Sequence, residues 1–213
     1  AALRAEIRTV VWASSAAVYG NTTKLPNVET MLPLCPFSPY AASKAAGEMF
    51  ARAYHEMYGM RIIGLRYFNV YGERQNLLSS YAAVIPLFIN TLIRGKRVTI
   101  WGDGEQTRDF VHVTDVVQAN LKAAESRPSA GGRVYNIGSG VRISVNELFK
   151  LLAAEIGNAR PPRLAPGLIG EVRHSVADIW AAGEFEYKPT VDLVDGLRQT
   201  IRWFQERMRE EKT

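Results

Sequence analysis

The chain moves between short, continuous apolar runs and longer stretches where apolar residues return every three or four positions. The first pattern marks strands buried on both faces, the second helices with one buried stripe. Residues 9–13 and 61–67 are rich in β-branched and apolar side chains, so both are predicted as buried strands. Residues 133–137 form a third such run, and 98–101 a shorter one before the turn Gly102-Asp103-Gly104. Between the first two strands, Ser38-Pro39 supplies a helix cap and a first-turn proline, and Gly59 a stop, predicting a helix to Tyr58. Further helices are predicted at 81–94, 113–125 and 145–156, and a last one from about Val191. In that last helix Leu193, Leu197, Ile201, Phe204 and Met208 fall on one stripe. Residues 1–8 read as the final turns of a helix, and 14–39, rich in Pro, Asn, Thr and Ser, as mostly loop. Strand, helix, strand, helix, strand is the order of a parallel α/β sheet. No internal repeat or low-complexity segment interrupts it.

Composition narrows the function. The 213 residues hold 26 Lys+Arg against 21 Asp+Glu, a net charge of +5. The positive charges are scattered, and 202–212 mixes both signs, so nucleic acid is not an expected partner. A few basic residues for a small anionic ligand explain the excess equally well. The single cysteine, Cys35, forms no internal disulfide, which fits a reducing, cytoplasmic setting. His55, His112 and His174 lack metal-ligand spacing, and no apolar run reaches membrane-spanning length.

The segment that carries chemistry is Tyr40-Ala41-Ala42-Ser43-Lys44. Positions i and i+4 share a helix face, and an ammonium beside a phenol favours the phenolate, turning tyrosine into a usable base. Ser15 follows the first predicted strand, and Arg66-Tyr67-Phe68-Asn69 ends the second. Open parallel sheets place their ligands at the C-terminal ends of their strands, so these polar groups are predicted to meet on one rim. Each also has a plain structural reading. Ser15 is then a strand-end hydroxyl, Asn69 a turn cap, and Arg108 with its neighbour Asp109 an ion pair.

The runs ASSAAVYG, SPYAASK, LRYFNVYG, GDGEQTRDFVHVTDV and VYNIGSG, in this order, resemble the extended short-chain dehydrogenase/reductase family. The resemblance covers essentially the whole chain and points to its NAD-dependent epimerases of UDP-sugars. It implies a partial doubly wound, Rossmann-like parallel sheet with a smaller C-terminal α/β portion for substrate. Residues 1–72 would be the end of the dinucleotide-binding domain and 73–213 mainly the nucleotide-sugar portion, with 110–138 returning to the main sheet. It implies, too, that Tyr40 takes the proton of the sugar 4-hydroxyl while hydride passes to NAD, and that the 4-keto sugar then turns over. Lys44 would support Tyr40 and hold the nicotinamide ribose, with Ser14 and Tyr67 beside the cofactor. Ser15 would bind the sugar 4-oxygen, Asn69 and Arg108 the diphosphate, and the backbone at Val84 and Ile85 the uracil.

The resemblance also separates branches. Related 4,6-dehydratases carry Asp-Glu where this chain has Ala16-Ala17, and alanine does no acid/base work, so 4-epimerisation is expected. Ser175 stands where glucose-only epimerases have a large tyrosine, which implies room for a 2-acetamido group. Glu171 replaces the aspartate of the family's Arg-x-Gly-Asp motif among the substrate contacts, and Leu168 replaces its arginine. The family's GxxGxxG turn does not precede Ser15. The expectation is that NAD binding by this chain alone is doubtful and that the first strand has an uncovered edge, favouring a dimer or larger assembly. A UDP-sugar-binding module without NAD, or an inactive truncated relative, stays open as the alternative.

Overall fold

The computed structural model describes residues 1–76, 83–157, 159–168 and 170–210. Strand β1 (Thr9–Ser15) leads through a 3-10 turn (Ala16–Tyr19) and a loop into helix α1 (Pro39–Tyr58), then strand β2 (Arg61–Tyr67). Next come β3 (Asn69–Tyr71), α2 (Val84–Ile93), β4 (Thr99–Trp101), β5 (Thr107–His112) and α3 (Val113–Glu125). The chain continues through β6 (Val134–Ile137), β7 (Arg142–Ser144), α4 (Val145–Ile156) and β8 (Arg163–Ala165) to α5 (Leu193–Glu210).

The sequence order produces the expected α/β architecture. β1, β2 and β6 form one parallel sheet in that order, with β1 at an edge among the described residues. α1 packs on β1 and β2 so closely that a side chain at Gly47 would strike the Trp12 ring, at 2.4 Å. A second sheet pairs β3 with β5 in parallel and β5 with β7 antiparallel, and β4 pairs with β8. Under the second sheet lies the larger apolar cluster, where Ile85 and Ile89 of α2, Leu148 and Leu152 of α4, and Leu197, Ile201 and Phe204 of α5 pack together. The α5 stripe predicted from spacing is therefore a packing face.

Several boundaries moved, each for a local reason. Residues 1–8 hold only a 3-10 turn (Leu3–Ala5), because Glu6 is left-handed at φ 55° and its N–H closes onto Leu3. β1 runs on to Ser15, so both serines belong to the strand end. α5 starts at Leu193, where the Asp192 carboxylate accepts from the Val194 N–H. The helix predicted from Tyr81 is seen from Val84, residues 81–82 lying outside the described ones, as does the end of the mixed-charge run at 211–213.

Candidate active site

The N-terminus of α1 is fixed by its cap: Ser38 Oγ accepts from the Ala41 N–H at 3.1 Å. This sets Tyr40 in the first turn with 49% of its surface exposed. One turn on, Lys44 Nζ donates to the Ala13 carbonyl at 2.8 Å and lies 5.5 Å from the centroid of the Tyr40 ring. Lys44 thus ties the start of α1 to the end of β1. At that end Ser15 Oγ accepts from the Ala17 N–H at 3.2 Å, capping the 3-10 turn, while buried Ser14 donates to Glu48. Ala16 and Ala17 present methyl groups only.

Most of the candidate residues converge on one cleft of about 770 Å³. Ser14, Ser15 and Tyr40 line it from β1 and α1, and Tyr67 and Asn69 from the end of β2 and the start of β3. Val84 and Ile85 line it from α2, and Arg108 and Glu171 close the far side. The Tyr67 hydroxyl donates to Asn120 at 2.9 Å, and burial raises its pKa. Ala83 at the N-cap of α2 has no side chain that could accept from the first-turn N–H groups. Lys44 stands behind the rim and does not line the cleft. Nor does Ser175, which is buried with its N–H on the Thr107 carbonyl at 3.1 Å.

Arg108 and Asp109 do not form an ion pair. Neighbours on a strand point to opposite faces. Arg108 reaches the cleft, where Nη1 donates to the Thr107 carbonyl at 2.9 Å and the Arg173 carbonyl at 3.4 Å, and Nη2 to Glu171 at 2.9 Å. Burial lowers the Arg108 pKa, and Glu171 opposes that shift. Asp109 points inward and is fully buried. Its carboxylate accepts from the Ser139 N–H and hydroxyl and from the Gly140 and Ala177 N–H groups, all within 2.7–3.0 Å. The glycine-rich turn 138–140 is therefore occupied by this carboxylate and is not a phosphate cradle.

Two kinds of residue escape the sequence. Leu87, Phe88, Ile100 and Trp101 give the cleft an apolar wall, because short strand β4 and helix α2 meet there. Glu48 and Arg66 form a buried pair behind Ser14, with Arg66 Nε on Oε1 at 2.9 Å and Nη2 on Oε2 at 2.7 Å. Glu48 lies one turn beyond Lys44 on the same helix face, and that spacing is the signal that could have found it.

A third buried group sets a pH response. His112, at the end of β5, accepts from the Thr114 N–H through Nδ1, and its Nε2 lies 3.8 Å from the Glu73 carboxylate without a hydrogen-bond partner. Burial lowers its pKa against the opposing pull of Glu73 and Asp115, and burial with the nearby Arg142, Arg173 and Arg108 lowers that of His174. A histidine whose folded pKa is depressed takes up its proton more readily when unfolded, so its contribution to stability is lost as pH falls below about 6.5. The melting temperature is expected to drop between about pH 7.5 and 5.5, and His112→Gln to flatten that slope. An unchanged slope in the variant, measured by thermal melts, would exclude His112 as its source.

The sequence and fold were compared with known proteins. Residues 1–138 match the NAD dependent epimerase/dehydratase family. A putative UDP-glucose 4-epimerase of Methanocaldococcus jannaschii is 40% identical over 201 residues, which is 94% of this chain and 64% of that protein. The UDP-glucose 4-epimerase of Mycolicibacterium smegmatis is 38% identical over 96% of this chain and 65% of its own length. The solved structure of a UDP-N-acetylglucosamine 4-epimerase from Methanobrevibacter ruminantium, in complex with UDP-N-acetylmuramic acid, superposes with a TM-score of 0.92 at 38% identity. It is covered to 66%, and this chain to 97%. The chain thus spans slightly less than two thirds of the length of the relatives it matches. With the family model matched from ahead of β1 to just past β6, over the serine, tyrosine and lysine described above, the chain belongs to the NAD dependent epimerase/dehydratase family.

Proposed function

We propose that this chain carries the substrate-binding and proton-transfer half of a UDP-sugar 4-epimerase acting on UDP-glucose and UDP-galactose or their N-acetyl forms. The observation that supports it is the single cleft that gathers Ser15, Tyr40, Asn69, Arg108 and Glu171 beside an apolar wall. In this reading residues 1–72 complete the dinucleotide-binding domain and 73–213 hold mainly the nucleotide-sugar. Relatives that act on UDP-sugars, the solved structure with a bound UDP-sugar among them, support the substrate class.

The half-exposed Tyr40 phenol takes the proton of the sugar 4-hydroxyl. Ser15 still has its O–H to donate, since its oxygen accepts from Ala17, and holds the same sugar oxygen. The Arg108 guanidinium, steadied by two backbone carbonyls, meets the diphosphate. The methyl groups at Ala16 and Ala17 leave no acid to expel a hydroxyl, which favours epimerisation over dehydration.

The residues fit the nicotinamide end of NAD. Lys44 spends one of its three donors on Ala13 and keeps the others for ribose hydroxyls, with the Tyr40 ring 5.5 Å away. NAD, when bound, supplies the acceptor and donor of hydride. The test is calorimetric titration of the 213-residue chain with UDP and with NAD. UDP is expected to bind, and Arg108→Ala to weaken it by about tenfold or more. Absence of UDP binding would overturn the reading. UDP binding without NAD would reduce the chain to a nucleotide-sugar module.

A further inference from the structure

The proposed anion-binding arginine already has an anion on it. Arg108 is held from behind by the Thr107 and Arg173 carbonyls through Nη1, and the outward Nη2 goes to Glu171 at 2.9 Å. The two partners differ in freedom. The Arg108 side chain is 16% exposed and pinned to backbone, while the Glu171 carboxylate is 27% exposed and bonded to Arg108 alone among the described residues. Glu171 follows Gly170, whose left-handed φ of 80° gives the chain a turn at this point. The neighbouring Arg173 is neutralised by its own bidentate partner, Asp103, at 2.7 and 2.8 Å, and the His174 pKa is lowered, so Arg108 is the cation that Glu171 meets.

We propose that Glu171 is a built-in competitor for the anion site, so that a diphosphate binds by displacing the Glu171 carboxylate from Arg108 Nη2. This rests on the reading that the cleft takes a UDP-sugar. The exchange is physically balanced. A carboxylate is given back to water at the exposed side, and a group with more negative charge and more acceptor oxygens takes the same donor. The arrangement discriminates by charge. A singly charged ligand gains nothing over the carboxylate it replaces, whereas a diphosphate brings more charge and more acceptor oxygens to the same guanidinium. Glu171 thereby lowers the affinity for every anion that has to take this donor.

Inorganic pyrophosphate is the probe, since it has no ribose or base and reports on Arg108 alone. Wild type, Glu171→Gln, Arg108→Gln and the double variant are titrated by calorimetry at low salt, each also with UDP, after circular dichroism has shown all four folded. Glu171→Gln is expected to bind pyrophosphate about tenfold more tightly than wild type, and to lose that gain in the double variant. A gain seen only in Glu171→Gln, with wild type below detection, supports the competition equally. If wild type binds UDP while Glu171→Gln binds pyrophosphate no better than wild type, the competition is overturned and the UDP-sugar reading stands. A gain that persists in the double variant also overturns it, since it then reflects net charge and not Arg108. If no protein binds pyrophosphate or UDP, both fall.

Discussion

Arg66→Leu lowers the melting temperature by roughly 10 °C, the result of losing about 3–5 kcal/mol. The side chains of Arg66 and Glu48 are only 3% and 8% exposed and meet as a two-pronged fork. Taking away the cation leaves a carboxylate in the interior with only the Ser14 hydroxyl as partner. It also takes the donor from the Tyr19 hydroxyl, which accepts from Arg66 at 2.8 Å and keeps only its own bond to Asn136 at 2.6 Å. Glu48→Leu is expected to cost a similar amount for the mirror-image reason. The double variant costs clearly less than the two singles together, because the second change removes the charge that the first had stranded. Urea and thermal unfolding of the four proteins give this cycle. A single variant within about 1 kcal/mol of wild type would mean that water reaches the pair and that it is not buried in solution.

Asp109→Ala is expected to cost about 3 kcal/mol or more, again by unfolding measurements. Three backbone N–H groups, at Ser139, Gly140 and Ala177, depend on this one carboxylate. No methyl group replaces it, and the site is fully buried, so water does not fill the role. Because the turn 138–140 and the bridge residue Ala177 both hang on Asp109, the variant also loosens the link between β6 and β7. A neutral outcome would show that these segments keep their shape by packing alone.

These two residues illustrate what the sequence tells and what it withholds. α1 was legible to the residue, since Ser38, Pro39 and Gly59 each act on the backbone beside them. β2 and β6 were legible because burial on both faces leaves a continuous apolar run, whereas β1, read as buried, lies at the sheet edge and is only partly covered. β3, β7 and β8 have three residues each, too few to show any period, and their pairing is decided by distant partners. The cleft followed from strand ends and from the resemblance. The pairing of Arg108 was not readable, because its partner Glu171 lies far along the chain, and adjacency to Asp109 suggested an ion pair that strand geometry forbids. The same holds for Ser175, whose neighbourhood is set by the bridge between Thr107 and His174.

The path of the chain has one more consequence. It leaves the β1-β2-β6 sheet after Tyr67, returns from β5 through α3 to β6, and leaves again from Ile137 towards β7. After β8 it comes back to pack Ala182 and Phe185 against the first sheet, and crosses once more into α5. The walls of the cleft are thus joined by five stretches of covalent backbone. Two lobes on a single connector swing like the covers of a book. Two lobes stitched five times resist that swing, and their remaining freedom is a small sliding of one wall along the other. Exchange of ligand in such a cleft falls to side chains at its mouth and not to the opening of the lobes.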